Sequence, residues 1–131
     1  MRPLILVAML LAAAPAIAQP GHGLLPPGDW HGVGLQVGRD GVQASWDIVL
    51  SIKADHSGAI AYPSLGCKGL LHRIPKTSDQ IAFTEEITEG DCFNGGRITA
   101  TLENGRLFWF WTKPGVDADA SAVLYPSQPI S

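Results

Sequence analysis

Arg97-Ile98-Thr99-Ala100-Thr101-Leu102-Glu103-Asn104-Gly105-Arg106-Leu107-Phe108-Trp109-Phe110-Trp111-Thr112-Lys113 is the stretch that decides the fold class. Asn-Gly between two alternating runs is the strongest short-range signal for a two-residue hairpin turn, because both central residues need positive φ. The turn fixes a register that can be checked against side-chain type. It sets Glu103 opposite Arg106, Leu102 opposite Leu107, Ala100 opposite Trp109 and Ile98 opposite Trp111. The apolar partners then share one face, while Thr101 with Phe108 and Thr99 with Phe110 share the other. Glu103 and Arg106 form an opposite-charge pair, worth under about 1 kcal/mol on a surface. Register and apolar pattern agree, so the segment reads as an antiparallel hairpin with Trp109 and Trp111 facing a core.

Working outward, the same period recurs. Residues 42–53 place Val42, Ala44, Trp46, Ile48, Leu50 and Ile52 on one face, against Gln43, Ser45, Asp47, Val49, Ser51 and Lys53 on the other. Period 2 over this length means one buried and one wet face. Further strand runs are Trp30 to Val37, Ala59 to Tyr62, Lys68 to Ile74, Gln80 to Thr88 and Ala118 to Tyr125. Turn signals separate them: Gly38 to Gly41, Asp55 to Gly58, Lys76 to Asp79, the loop from Gly90 to Gly96, and Pro114-Gly115. Across the Asp55–Gly58 turn an even register sets Ile60 opposite Ile52 and Tyr62 opposite Leu50, both inward. In 68–74 the alternation leaves two choices open, Leu70, His72 and Ile74 inward or Gly69, Leu71 and Arg73 inward. No helix of useful length and no repeat is present. About eight strands with short connections predict an all-β fold, a small antiparallel up-and-down barrel, with a two-sheet sandwich as the alternative.

The first residues carry a different message. Arg2, the apolar run Leu4 to Ala14 and the small-x-small site Ala16-Ile17-Ala18 have the layout of a secretory signal peptide over 1–18. The run is shorter than the roughly 18 apolar residues a membrane span needs. Residues 19–28 are then an extended, Pro- and Gly-rich lead-in, 29–125 a single β domain, and 126–131 a tail. Loss of Arg2 takes the formal net charge from −3 to about −4. With no basic cluster, nucleic acid and anionic membrane surfaces are excluded as expected partners. Two cysteines in an exported chain predict one Cys67–Cys92 disulfide, worth roughly 3 kcal/mol by loop-closure entropy.

Glu85 is the most informative polar residue. Ile81, Phe83, Glu85 and Ile87 share the face that should be inside, so a carboxylate is expected in the interior, where it needs a partner. Tyr62 or an inward arginine, Arg73 among them, is the expected companion. Glu85, Tyr62 and Arg73 are therefore the candidate ligand-binding residues, and a closed structural knot is the competing reading. Glu86, Glu89 and Asp91 read as a solvated acidic loop, without the spacing of a calcium site. The histidines, His22, His31, His56 and His72, lack metal-ligand spacing, so no metal or cofactor is expected. Phe108 and Phe110, on the outer face, are covered by the lead-in or tail or form a patch for a partner.

Gly28-Asp29-Trp30 resembles the Gly-x-Trp opening of calycins, the lipocalin and avidin group of barrels. Residues 30–111 also resemble a family of small exported bacterial domains, sometimes fused to receptor-type protein kinases. The match lies in Tyr62-Pro63-Ser64-Leu65-Gly66-Cys67-Lys68-Gly69, Phe83-Thr84-Glu85 with Ile87 and Gly90, Cys92 with Gly95-Gly96, and Gly105 with Leu107 and Trp109. Glu86 stands where such relatives often carry a basic residue. The resemblance implies a disulfide-clamped β fold and no catalytic activity. The expected function is an exported, non-catalytic barrel binding a small ligand or a protein. The alternatives are an inhibitor of an extracellular hydrolase, acting through protruding loops such as 89–96, and an enzyme using Glu85.

Overall fold

A computed structural model describes residues 25–38, 40–75 and 80–127. The expected signal segment, most of the lead-in, the Lys76–Asp79 turn and most of the tail lie outside the described residues. Among the described residues, eight strands run in chain order: β1 (Gly28–Val37), β2 (Gln43–Ile52), β3 (Gly58–Tyr62), β4 (Cys67–Ile74), β5 (Ile81–Glu89), β6 (Arg97–Glu103), β7 (Arg106–Thr112) and β8 (Ala120–Pro126). Each pairs antiparallel with the next, and β1 pairs with β8, so the sheet closes into an up-and-down barrel. Closure removes the sandwich alternative and leaves no edge strand among the described residues.

The β6–β7 hairpin has the register fixed by Asn104-Gly105, with Ile98 beside Trp111 and Ala100 beside Trp109. Asn104 has φ 52° and Gly105 φ 76°, as a turn with two left-handed residues requires. Ile98, Ala100, Leu107, Trp109 and Trp111 are buried, whereas Leu102, beside the turn, is 41% exposed. In β4 the choice between faces falls to the odd residues: Cys67, Gly69 and Leu71 are buried, and Leu70 and His72 are exposed. His72 instead reaches Glu86 on the outer face, with Nε2 at 2.7 Å from the carboxylate.

The expected β2–β3 register needs correction by two residues. Ile60 lies opposite Leu50, and Gly58 opposite Ile52. The turn closes tighter than its sequence signal suggests, because Lys53 N–H donates to the Ser57 carbonyl and His56 takes φ 67°. A shift of two preserves facing, so Ile60 and Tyr62 still point inward. The lead-in boundary also moves, since β1 begins at Gly28 and Leu25 is already part of the core. Between β3 and β4 a single 3-10 turn spans Pro63–Leu65, and Ser64 Oγ there accepts from the Asp47 N–H.

Packing is uneven along the barrel. Towards the end where β1 starts, Leu25, Trp30, Ile52, Ile60, Leu71, Ile81, Leu107 and Leu124 fill the interior. Towards the other end β2 is paired with β3 only as far as Val49, Ala44 is exposed and Trp46 half-buried. An eight-stranded barrel is just wide enough to be filled by side chains or to hold one small ligand. This barrel is filled by side chains at one end and leaves a cavity at the other. The Cys67–Cys92 disulfide, with Cα atoms 6.2 Å apart, ties the start of β4 to the β5–β6 loop at the open end.

Candidate ligand cavity

The open end holds a cavity of about 240 Å³. Its walls follow from strand phase. Trp46 comes from β2, Tyr62 from β3, Glu85 from β5, and Trp109 and Trp111 from β7, all at inward positions. Gln36 and Ala44, opposite each other on β1 and β2, and Ala120 at the start of β8 complete the rim. Leu65, Asp91, Cys92 and Phe93 come from the two connections joined at the disulfide.

Glu85 is 2% exposed and has two side-chain donors. Tyr62 O–H donates to Oε2, and the Trp111 indole N–H donates to Oε1 at 3.1 Å. Its backbone is clasped too, because Glu85 N–H donates to the Gly96 carbonyl and Gly95 N–H to the Glu85 carbonyl. Asn94 Oδ1 accepts from the Ile87 N–H at 2.8 Å, which folds the loop back along β5. Gly96 is needed for close approach, since a Cβ there would overlap the Trp111 indole nitrogen.

Burial pushes the Glu85 carboxyl above its ordinary value, and the bonds from Tyr62 and Trp111 oppose that shift. Burial first, then the neighbouring Glu85 charge and the hydrogen bond to it, push the Tyr62 phenol well above its own. Tyr62 therefore stays protonated and remains the donor. Its ring also meets Trp46 edge-on at 6.3 Å and Trp109 at 6.5 Å between centroids. The indole N–H groups of Trp46 and Trp109 have no acceptor among the described residues.

Of the candidates read from sequence, the structure brings Glu85 and Tyr62 together and leaves Arg73 out. Arg73 is in phase with Leu71 but sits opposite Phe83 towards the other end of β4, where it is exposed and lies outside the cavity walls. Its place as donor is taken by Trp111, which the pattern marked only as core; the need of a buried indole N–H for an acceptor is the signal that could have found it. Asp91, read as part of a solvated loop, is exposed but lines the cavity mouth. Phe108 and Phe110 are 40% and 43% exposed on the outer surface. With Val33 and Val123 in one cross-strand row and Leu35 in the next, they form an apolar patch. Among the described residues, no group of three or more potential ligands forms a metal site.

Truncating the carboxylate separates its two contributions. Glu85→Ala strands the Tyr62 hydroxyl and the Trp111 N–H, and is expected to cost about 2–3 kcal/mol. Glu85→Gln is expected to be mild, because the amide oxygen can accept from Trp111 while its NH₂ group donates to the Tyr62 oxygen. The pH dependence has a definite sign. The folded state holds the Glu85 proton at pH values where the unfolded chain has released it, so the stability tied to this group falls as pH rises from the ordinary glutamate value through the raised one. Glu85→Gln lacks that slope, so its stability relative to the parent should rise across the same window. Urea denaturation of both proteins from pH 4 upward checks this, and parallel curves would exclude a raised Glu85 pKa.

No family model, no curated protein and no solved structure matches this chain.

Proposed function

We propose that the protein is an exported, non-catalytic β-barrel that takes a small ligand into the cavity at its open end. The observation that carries this reading is the cavity itself, in a barrel packed solid at its other end. At about 240 Å³ it lies just below the roughly 300–1,000 Å³ of sites for drug-sized molecules, so it suits a smaller one. Mostly apolar walls with one fixed polar group are the usual make-up of such a site. The enzyme alternative would use Glu85, and the other ionisable side chains of the wall are Tyr62 and Asp91. The inhibitor alternative called for a protruding 89–96 loop, whereas that loop is bonded back onto β5. Export rests on the signal-like leader and the resemblance to exported domains. The disulfide is compatible with it, and no described helix is long and apolar enough to cross a membrane.

Plugging the mouth tests the reading. Ala44 is exposed and extends the Trp46–Ile48 row over the cavity rim, so Ala44→Trp fills the opening without disturbing the core. A thermal-shift screen of small metabolites is expected to yield stabilising compounds for the parent protein and none for Ala44→Trp, with the two unliganded melting temperatures nearly equal. Compounds that stabilise both proteins equally would place binding outside the cavity.

A further inference from the structure

The walls say more about the ligand than its size. Tyr62 stands nearly perpendicular to both Trp46, at 82°, and Trp109, at 72°, with centroids 6.3 and 6.5 Å away. Phe93 and Trp111 lie 6.2 Å apart at 35° at the mouth. Rings set at steep angles make a corner, which suits a rounded group, where parallel rings would make a slot for a flat one. The charged side chains of the wall are Glu85 and Asp91, and no Lys, Arg or His joins them among the described residues.

Ligand charge can be decided by what each choice does to Glu85. An anion would face two carboxylates without a basic partner. A neutral ligand would leave the charge of a carboxylate that is only 2% exposed uncompensated. A cation removes that penalty and adds attraction to the aromatic faces. Both carboxylate oxygens already accept a bond, from Tyr62 and Trp111, so charge and contact surface are what the site has left to give. Resting on the cavity as the binding site, we infer that its ligand is a compact organic ammonium ion, caged by Trp46, Tyr62, Trp109 and Trp111 with Glu85 as counter-ion. A hydroxyl on the same ligand would serve the indole N–H groups of Trp46 and Trp109.

Binding of this kind depends on the Glu85 charge. The groups packed around it are Tyr62 from β3, Leu71 from β4, Gly95 and Gly96 before β6, Trp111 from β7 and, at the mouth, Asp91. Of these Tyr62 and Asp91 carry ionisable groups, and Tyr62 stays protonated. Ammonium affinity should therefore fall as the pH is lowered through the Glu85 titration.

Calorimetric titration of the full exported chain with choline and with its uncharged isostere 3,3-dimethyl-1-butanol tests the inference. Choline is expected to bind at least about tenfold tighter. The preference should shrink towards unity in Glu85→Gln and, in the unmodified protein, on acidification. The pH series keeps the test decisive if the variant folds poorly. Equal binding of the two compounds, or a choline affinity indifferent to pH, overturns the ammonium assignment and leaves the cavity reading standing. Failure of choline to bind, while other compounds bind in a way that Ala44→Trp abolishes, overturns the assignment too. If nothing in the screen binds, the cavity reading itself fails.

Discussion

Trp109→Ala is expected to destabilise the protein by about 3–5 kcal/mol, the largest effect of any single substitution considered. Trp109 is 2% exposed and faces inward between Ala100 on β6 and Ala122 on β8. Its two cross-strand neighbours are small, so neither can swell to fill the space an alanine would leave. Ladder bonds to β6 and β8 hold the β7 backbone on both sides, which limits collapse around the void. Residual cavity volume is what sets the cost of such truncations, so the loss should sit well above the transfer term alone. Domains of this size are stable by about 5–15 kcal/mol, so a loss of this order lowers the denaturation midpoint severely. Guanidinium denaturation measures it. A cost below about 1 kcal/mol would mean that Trp109 does not fill the barrel.

Opening the disulfide is expected to cost about 3 kcal/mol and to abolish ligand uptake as well. The stability term follows from the 25-residue separation of the cysteines, through loop-closure entropy in the unfolded chain. The binding term follows from what Cys92 carries. Its loop supplies Asp91, Cys92 and Phe93 to the cavity wall, and Gly95 and Gly96 to the Glu85 backbone. A Cys67→Ala, Cys92→Ala double variant avoids free thiols and allows both effects to be read, by denaturation and by calorimetry with the compounds that bind the parent. Unchanged affinity in a destabilised variant would show that the loop is held by its hydrogen bonds alone and that the bridge serves stability only.

The hairpin and the barrel were legible in the residues because period-2 alternation and the Asn104-Gly105 turn constrain the same face from independent directions. The position of Glu85 was legible for the same reason: one carboxylate set into Ile81, Phe83 and Ile87 is a signal of phase, which a strand preserves. Its partners were harder to read. Tyr62, named from its phase, lies 23 residues away across β4, and Trp111 lies 26 away across β6. Arg73 has the right phase and the wrong height, and alternation reports phase alone. The β2–β3 register slipped by two because the Asp55–Gly58 signal identifies a turn without fixing which pair closes it. The open end was the least legible feature. Trp46 and Ala44 belong to the same alternating row as Ile48 and Leu50, and only the end of the β2–β3 pairing at Val49 separates cavity wall from core.

The central claim is that a small molecule enters the barrel and meets Glu85. Its most direct test follows the ¹³C resonance of the Glu85 carboxyl while the most stabilising compound of the thermal screen is titrated in. A saturable shift of that resonance, with the same midpoint as calorimetry and absent from Ala44→Trp, is the predicted result. Binding that leaves the Glu85 signal unmoved, or a shift that survives the plugged mouth, would contradict the account.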